Sequence, residues 1–124
     1  MKLLFPLSAF SMALGVGCGA FGAHGLRDVV PPSDLLIWEK AVLYQLVHSL
    51  GALIALLASP TRLTAPRANA VAQLFLGGIL VFSGSLYALV LLNQRWLGMI
   101  TPLGGTAFIV GWVLFALSSR RSAA

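Results

Sequence analysis

Acidic side chains are scarce in this chain: Asp28, Asp34 and Glu39 are the whole set, against eight Lys and Arg. None of the three falls within a long apolar run, so there is no embedded carboxylate of the kind that small multidrug exporters use to exchange protons for cations. Charge of either sign is rare, at 9% of residues against 59% hydrophobic, and no segment carries enough of it to clothe a separate water-soluble core. The basic excess forms no stripe, which excludes a nucleic-acid partner. A single cysteine, Cys18, excludes an intramolecular disulfide. Neither repeats nor low-complexity tracts are present.

What is present is apolar length. A hydrocarbon core of about 30 Å takes roughly 20 helical residues per crossing, and residues 3–23, 41–58, 70–92 and 99–117 are four runs of that order. The sequence therefore predicts an all-α integral membrane protein, a four-helix bundle in a single transmembrane domain covering 1–124, with the lipid bilayer as its first partner. Cationic connections stay in the cytoplasm. Lys2, Arg62, Arg67, Arg120 and Arg121 fall on one side and Arg27, Lys40 and Arg95 on the other, which predicts that both termini are cytoplasmic. Trp38 and Trp96 then belong to the outer interface, where indoles are enriched.

Lys2 followed by an apolar run is also how a secretory signal begins, and Leu14-Gly15-Val16-Gly17-Cys18 satisfies a permissive lipoprotein-type cleavage pattern. Gly15 replaces the usual leucine three places before the cysteine, and the run continues to Ala23. An uncleaved first helix is expected, with Cys18 as a small packing residue.

The helix signals are local. Ser33 after Pro31-Pro32 is placed as the N-cap of the second helix, which then starts near Asp34, and Thr101-Pro102 repeats the signature for the fourth. Ser59-Pro60 ends the second helix, and Arg62 to Asn69 reads as a short linker. Ser11, Gly15, Gly19 and Ala23 recur every four residues along one stripe of the first helix, where small side chains let a second backbone approach. Gly77 and Gly84, one heptad apart with Gly78 and Ser85 beside them, suggest a second packing face, and Gly104, Gly105 and Gly111 a third. The partner helix belongs either to the same chain or to another copy or membrane protein.

Polar residues inside the runs are the candidates for function. His48 is the one ionisable group well inside, about 12 Å inward of Lys40 at ~1.5 Å per residue, and an ionisable group at that depth is a functional hypothesis by default. Gln45 and Tyr44 precede it by three and four positions and share its neighbourhood on the helix. Tyr44, Gln45, Tyr87, Thr101 and His24 all fall between the outer surface and His48, whereas the inner half is apolar apart from glycine and Trp112. This one-sided polarity predicts a cavity open outward over an apolar floor. The free amides at the start of the fourth helix, Gly104-Gly105, and the segment Gly22 to Gly25 are placed to orient a polar ligand there, or to serve close packing and turns.

Several of these residues carry a resemblance. Gly19-Ala20-Phe21-Gly22-Ala23-His24-Gly25-Leu26, Tyr44-Gln45 with His48, Phe82-Ser83-Gly84-Ser85-Leu86-Tyr87, Thr101-Pro102-Leu103-Gly104-Gly105 and Gly111-Trp112 occur in the order and spacing of the YgdD-like family of uncharacterised small membrane proteins, domain of unknown function 423. The resemblance covers essentially the whole chain. It implies a small four-helix protein of bacterial inner (plasma) membranes with organellar relatives, and no assigned reaction, substrate or cofactor. It also argues against lipidation at Cys18, since the family segment containing it is helical.

Four functions compete on the sequence. A structural or assembly protein comes first, with the polar cluster fixing helix register and the glycine faces docking a partner, as a homo-oligomer or with another membrane protein. The alternative is binding of a lipid, quinone or other small amphiphile by His48, Tyr44, Gln45 and Tyr87 in the outer half. A transporter lacks a relay beyond His48, and bis-histidine haem or metal binding is strained by the difference in depth between His24 and His48. No catalytic role is expected, because Ser83 and Ser85 have no obvious base and no acid orients His48; nor is a cofactor or metal.

Overall fold

The computed structural model describes residues 2–119. Four α-helices follow one another, α1 (Leu4–His24), α2 (Pro32–Leu57), α3 (Ala65–Leu92) and α4 (Thr101–Ser118), and a 3₁₀ turn over Arg95–Met99 leads into the last. No strand occurs among the described residues. All four helices are long and apolar enough to cross a membrane, α4 together with its leading turn. Unbroken helix is what lipid demands, because a backbone amide or carbonyl in hydrocarbon has no water to bond. Arg120 and Arg121, two of the cations behind the expected orientation, lie outside the described residues.

The helix starts correct the sequence reading. α3 begins at Ala65, so Arg67 and Asn69 are helical and do not belong to a linker. Ser33 does not cap α2. The N-cap is Pro31, extended at φ −60° and ψ 153°, because a residue before proline is pushed out of the helical region while Pro32, lacking an N–H, fits the first helical position. The threonine that caps is Thr64, whose Oγ1 accepts from the Arg67 amide at 3.4 Å. Thr101 caps nothing either, since Ile100 before it is already helical and bonds back to Leu97 in the 3₁₀ turn. At the far end of α3, Asn93 takes the left-handed conformation (φ 52°) that commonly closes a helix.

α2 and α3 form the central pair; α1 lies antiparallel on α2, and α4 antiparallel on α3. Gly15 faces Leu46, Gly19 faces Val42, and Gly22 lies so close to Trp38 that a Cβ would come within 2.5 Å of the indole. The small-residue stripe of α1 therefore docks on α2 of the same chain, with Ala23 at its exposed end. On α3 the packing glycine is Gly78, not Gly77. A Cβ at 78 would meet the Phe108 ring at 2.6 Å, and Gly104 of α4 sits against the Phe82 backbone and the Gly78 carbonyl. A Cβ at 77 would meet nothing within 4 Å, and one at 84 only the Ile79 carbonyl of its own helix at 4.0 Å. One residue turns a helix by about 100°, enough to move the expected Gly77 and Gly84 face out of the contact.

Two apolar clusters fill the ends of the bundle. At the end marked by the α2–α3 connection, Phe75, Val71, Ala52 and Ala55 pack with Leu4 and Leu63. At the end marked by Pro31, Trp38, Ala41, Leu86, Leu89 and Val90 pack with Leu26. Trp38 is 3% exposed and hence a core residue, not the interfacial anchor expected, whereas Trp96 remains exposed. Gly22 supplies the space that admits the indole.

Candidate functional site

Between the two apolar clusters lies a belt of polar side chains, and Gln45 is its centre. Helical periodicity turns Ala41, Gln45, Ser49 and Ala52 to one buried face of α2, so Gln45 meets α1 and α3 at once. Its Nε2 donates to the Ser11 carbonyl at 2.9 Å, and Tyr87 Oη donates to its Oε1 at 2.6 Å. The amide orientation follows from chemistry: the Ser11 carbonyl only accepts, so the nitrogen faces it and the oxygen is left for the phenol. Ser49 Oγ reaches Ser11 Oγ at 2.6 Å, and Ser83 Oγ donates to the Ala41 carbonyl at 2.7 Å. Three helices are thus joined between the two apolar clusters by short side-chain bonds.

His48 belongs to a separate group, on the side of α4. Nδ1 lies 2.8 Å from the Tyr44 carbonyl one turn back, and Nε2 lies 3.0 Å from Trp112 Nε1. An indole N–H only donates and a carbonyl only accepts. Nε2 therefore presents its lone pair, Nδ1 carries the proton, and the imidazole is held neutral in one tautomer. The ring stacks on Phe108, with centroids 3.6 Å apart and planes 12° from parallel, and meets Phe75 edge-on at 5.3 Å. Tyr44 lies nearly parallel to His48 at 5.8 Å and stacks on Phe82 at 4.5 Å.

The candidate residues therefore divide. Gln45 with Tyr87 forms one group and His48 with Tyr44 another. Thr101 joins neither, sharing a hydrogen bond with Ser85 at 2.5 Å. His24 is exposed at the end of α1 and contacts neither group. The space beside Gly104 is filled by α3, and a Cβ at Gly105 would meet the Phe82 ring at 3.8 Å. The start of α4 is not an open amide cradle, because Ile100 and Leu103 donate their amides within the turn, to Leu97 and Ile100.

Nor is the polarity open to one side: Trp38, read as interfacial, lies against Tyr87 with centroids 4.6 Å apart and roofs the belt. A groove of about 280 Å³ does reach Gln45, between α1 and α3, but its walls are Leu7, Phe10, Leu14, Leu76 and Leu80. Cys18 sits within α1, half-buried, its carbonyl accepting from Trp38 Nε1 at 2.8 Å. Among the described residues no group of three or more His, Cys, Asp or Glu is placed to hold a metal ion.

Sequence reasoning missed several partners. Ser11 was visible as a small residue of the α1 stripe, but not as a hydroxyl bonded to α2. Trp112 was counted with the apolar half. The ion pair of Asp34 with Arg95, at 2.8 and 2.9 Å, had no signal beyond two opposite charges in different connections.

Residues 18–105, which hold Gln45, His48, Tyr87, Thr101 and Gly104, match the model of a protein family of unknown function, DUF423. The chain belongs to that family. Relatives agree over nearly their whole length. A UPF0382 membrane protein of Staphylococcus epidermidis is 45% identical over 123 residues, 99% of each chain. The UPF0382 membrane protein YwdK of Bacillus subtilis is 38% identical over 119 residues, 96% of this chain and 97% of its own. No solved structure matches. This DUF423 chain is thus an all-helical membrane protein with four helices of spanning length, like the relatives named for the membrane.

Proposed function

We propose that this DUF423 protein is a structural or assembly component of the bacterial inner membrane, with both termini cytoplasmic, and that it carries out no catalysis. The observation that supports this reading is the closure of its polar groups. Among the described residues every buried side-chain nitrogen or oxygen has a hydrogen-bond partner within the chain, so the Gln45–Tyr87 belt and the separate His48–Trp112 pair fix helix register, and their buried polar atoms are already bonded. An interior cavity for a quinone or other amphiphile, and a solute path, both have less support, because Gln45 and Tyr87 are bonded to each other and His48 to Trp112.

His48→Leu tests the reading. It leaves the Trp112 indole N–H, on a residue 41% exposed, without its acceptor, so it should destabilise the protein in detergent by about 1 kcal/mol, the net worth of one hydrogen bond. His48→Leu combined with Trp112→Phe should recover part of that loss, read from thermal melts. A His48→Leu protein that melts like the wild type but loses a bound small molecule in native mass spectrometry would overturn the structural role.

A further inference from the structure

One face of α2 carries a cation with no counter-ion and a phenol with no partner. Lys40 and Tyr44 stand one helical turn apart, both exposed, and among the described residues neither head group makes a hydrogen bond or an ion pair. Of the acids at this end, Asp28 in the α1–α2 connection makes no ion pair with Lys40, Asp34 is engaged and Glu39 faces elsewhere. Asp34 is held by both terminal nitrogens of Arg95, and Glu39 lines the groove that α2 makes with Gly19 and Gly22 of α1.

Each of the two residues borders a groove of its own. Lys40 borders a groove of about 140 Å³ with Leu36, Ile37 and Leu86, and one turn further Leu43, Tyr44, Val47 and His48 line another of about 270 Å³.

Depth gives this face its chemistry. α2 has 26 residues, about 39 Å at ~1.5 Å each, against a hydrocarbon core of about 30 Å. Its first turns therefore stand in the headgroup layer. Lys40 falls near the boundary and Val47 among the acyl chains. Lys40 and Tyr44, at i and i+4, are neighbours on the helix surface, with the Tyr44 ring against Phe82 and His48. A phenol facing hydrocarbon without an acceptor is unfavourable, and the neighbouring ammonium calls for an anion.

We propose that Lys40 and Tyr44 together hold the phosphate of one anionic phospholipid from the surrounding bilayer, with an acyl chain lying along Leu43 and Val47. A zwitterionic ethanolamine lipid is a poorer fit, because its ammonium has no free carboxylate on this face. The site is on the outside of the helices, and its polar groups, the Lys40 ammonium and the Tyr44 hydroxyl, are not among the bonded groups of the buried belt.

The test uses the whole protein, reconstituted in vesicles of phosphatidylglycerol and phosphatidylethanolamine in equal parts, extracted gently and weighed by native mass spectrometry. The wild type should retain phosphatidylglycerol in preference to phosphatidylethanolamine. Lys40→Gln should weaken that retention about fivefold, the usual effect of one lysine near an anionic surface. Lys40→Arg should preserve it. Tyr44→Phe should also weaken it, with an unchanged melting temperature, since the ring that stacks on Phe82 remains. Equal retention of the two lipids by the wild type would overturn the proposal. So would full phosphatidylglycerol retention in both Lys40→Gln and Tyr44→Phe, or a bound mass equal to a second copy of the chain that Lys40→Gln releases.

Discussion

Arg95 places both terminal nitrogens of its guanidinium on the two Asp34 oxygens, the fork geometry that makes such pairs directional. The partners are unequally placed: the Arg95 side chain is 52% exposed and the Asp34 side chain 6%. Removing the cation leaves a buried carboxylate alone, whereas removing the carboxylate leaves a guanidinium that water reaches. Arg95→Gln should therefore lower the melting temperature more than Asp34→Asn; the reverse order would mean that the pair does not anchor the start of α2. The sequence showed both residues only as charges in connections, because a contact across 61 positions leaves no local pattern. His48 was half legible. Its depth follows from counting residues along α2, but the Trp112 donor that fixes its tautomer depends on how α4 is rotated, which nothing in the apolar run specifies.

At the scale of helices, glycine has opposite meanings one position apart. Gly104 lies against the Phe82 backbone, which cannot move aside as a flexible side chain would. Gly104→Ala should separate α3 from α4 and cost about 1–3 kcal/mol, as overpacking does. Gly77→Ala adds its methyl to open space and should leave stability level or slightly raised. Thermal melts of the two variants side by side check both outcomes, and equal losses would refute the assigned face. Adjacent glycines at 77 and 78 mark a close approach in the sequence, but not the side it comes from. The α1 stripe was more legible because Ser11, Gly15 and Gly19 are flanked by large exposed residues such as Phe10, Leu14 and Val16, which leave one narrow side.

At the scale of the molecule, the four spans were the most legible property, since apolar length is set by the thickness of the bilayer and needs no partner to be recognised. Orientation rests on fewer charges. Within the described residues Lys2, Arg62 and Arg67 at one end balance Arg27, Lys40 and Arg95 at the other, so Arg120 and Arg121 tip the count. With Cys18 replaced by alanine, Val29→Cys should react with an impermeant maleimide in intact cells, and Thr61→Cys only after permeabilisation. Changing both terminal arginines to glutamine should yield a mixed population in which each site is partly labelled. The order of packing also bears on how the protein is made. Each helix after the first packs on the one that precedes it in the chain: α2 on α1, α3 on α2, α4 on α3. A span leaving the ribosome therefore finds its docking surface already in the bilayer. Synthesis and assembly can advance together, and no helix has to wait for a distant partner.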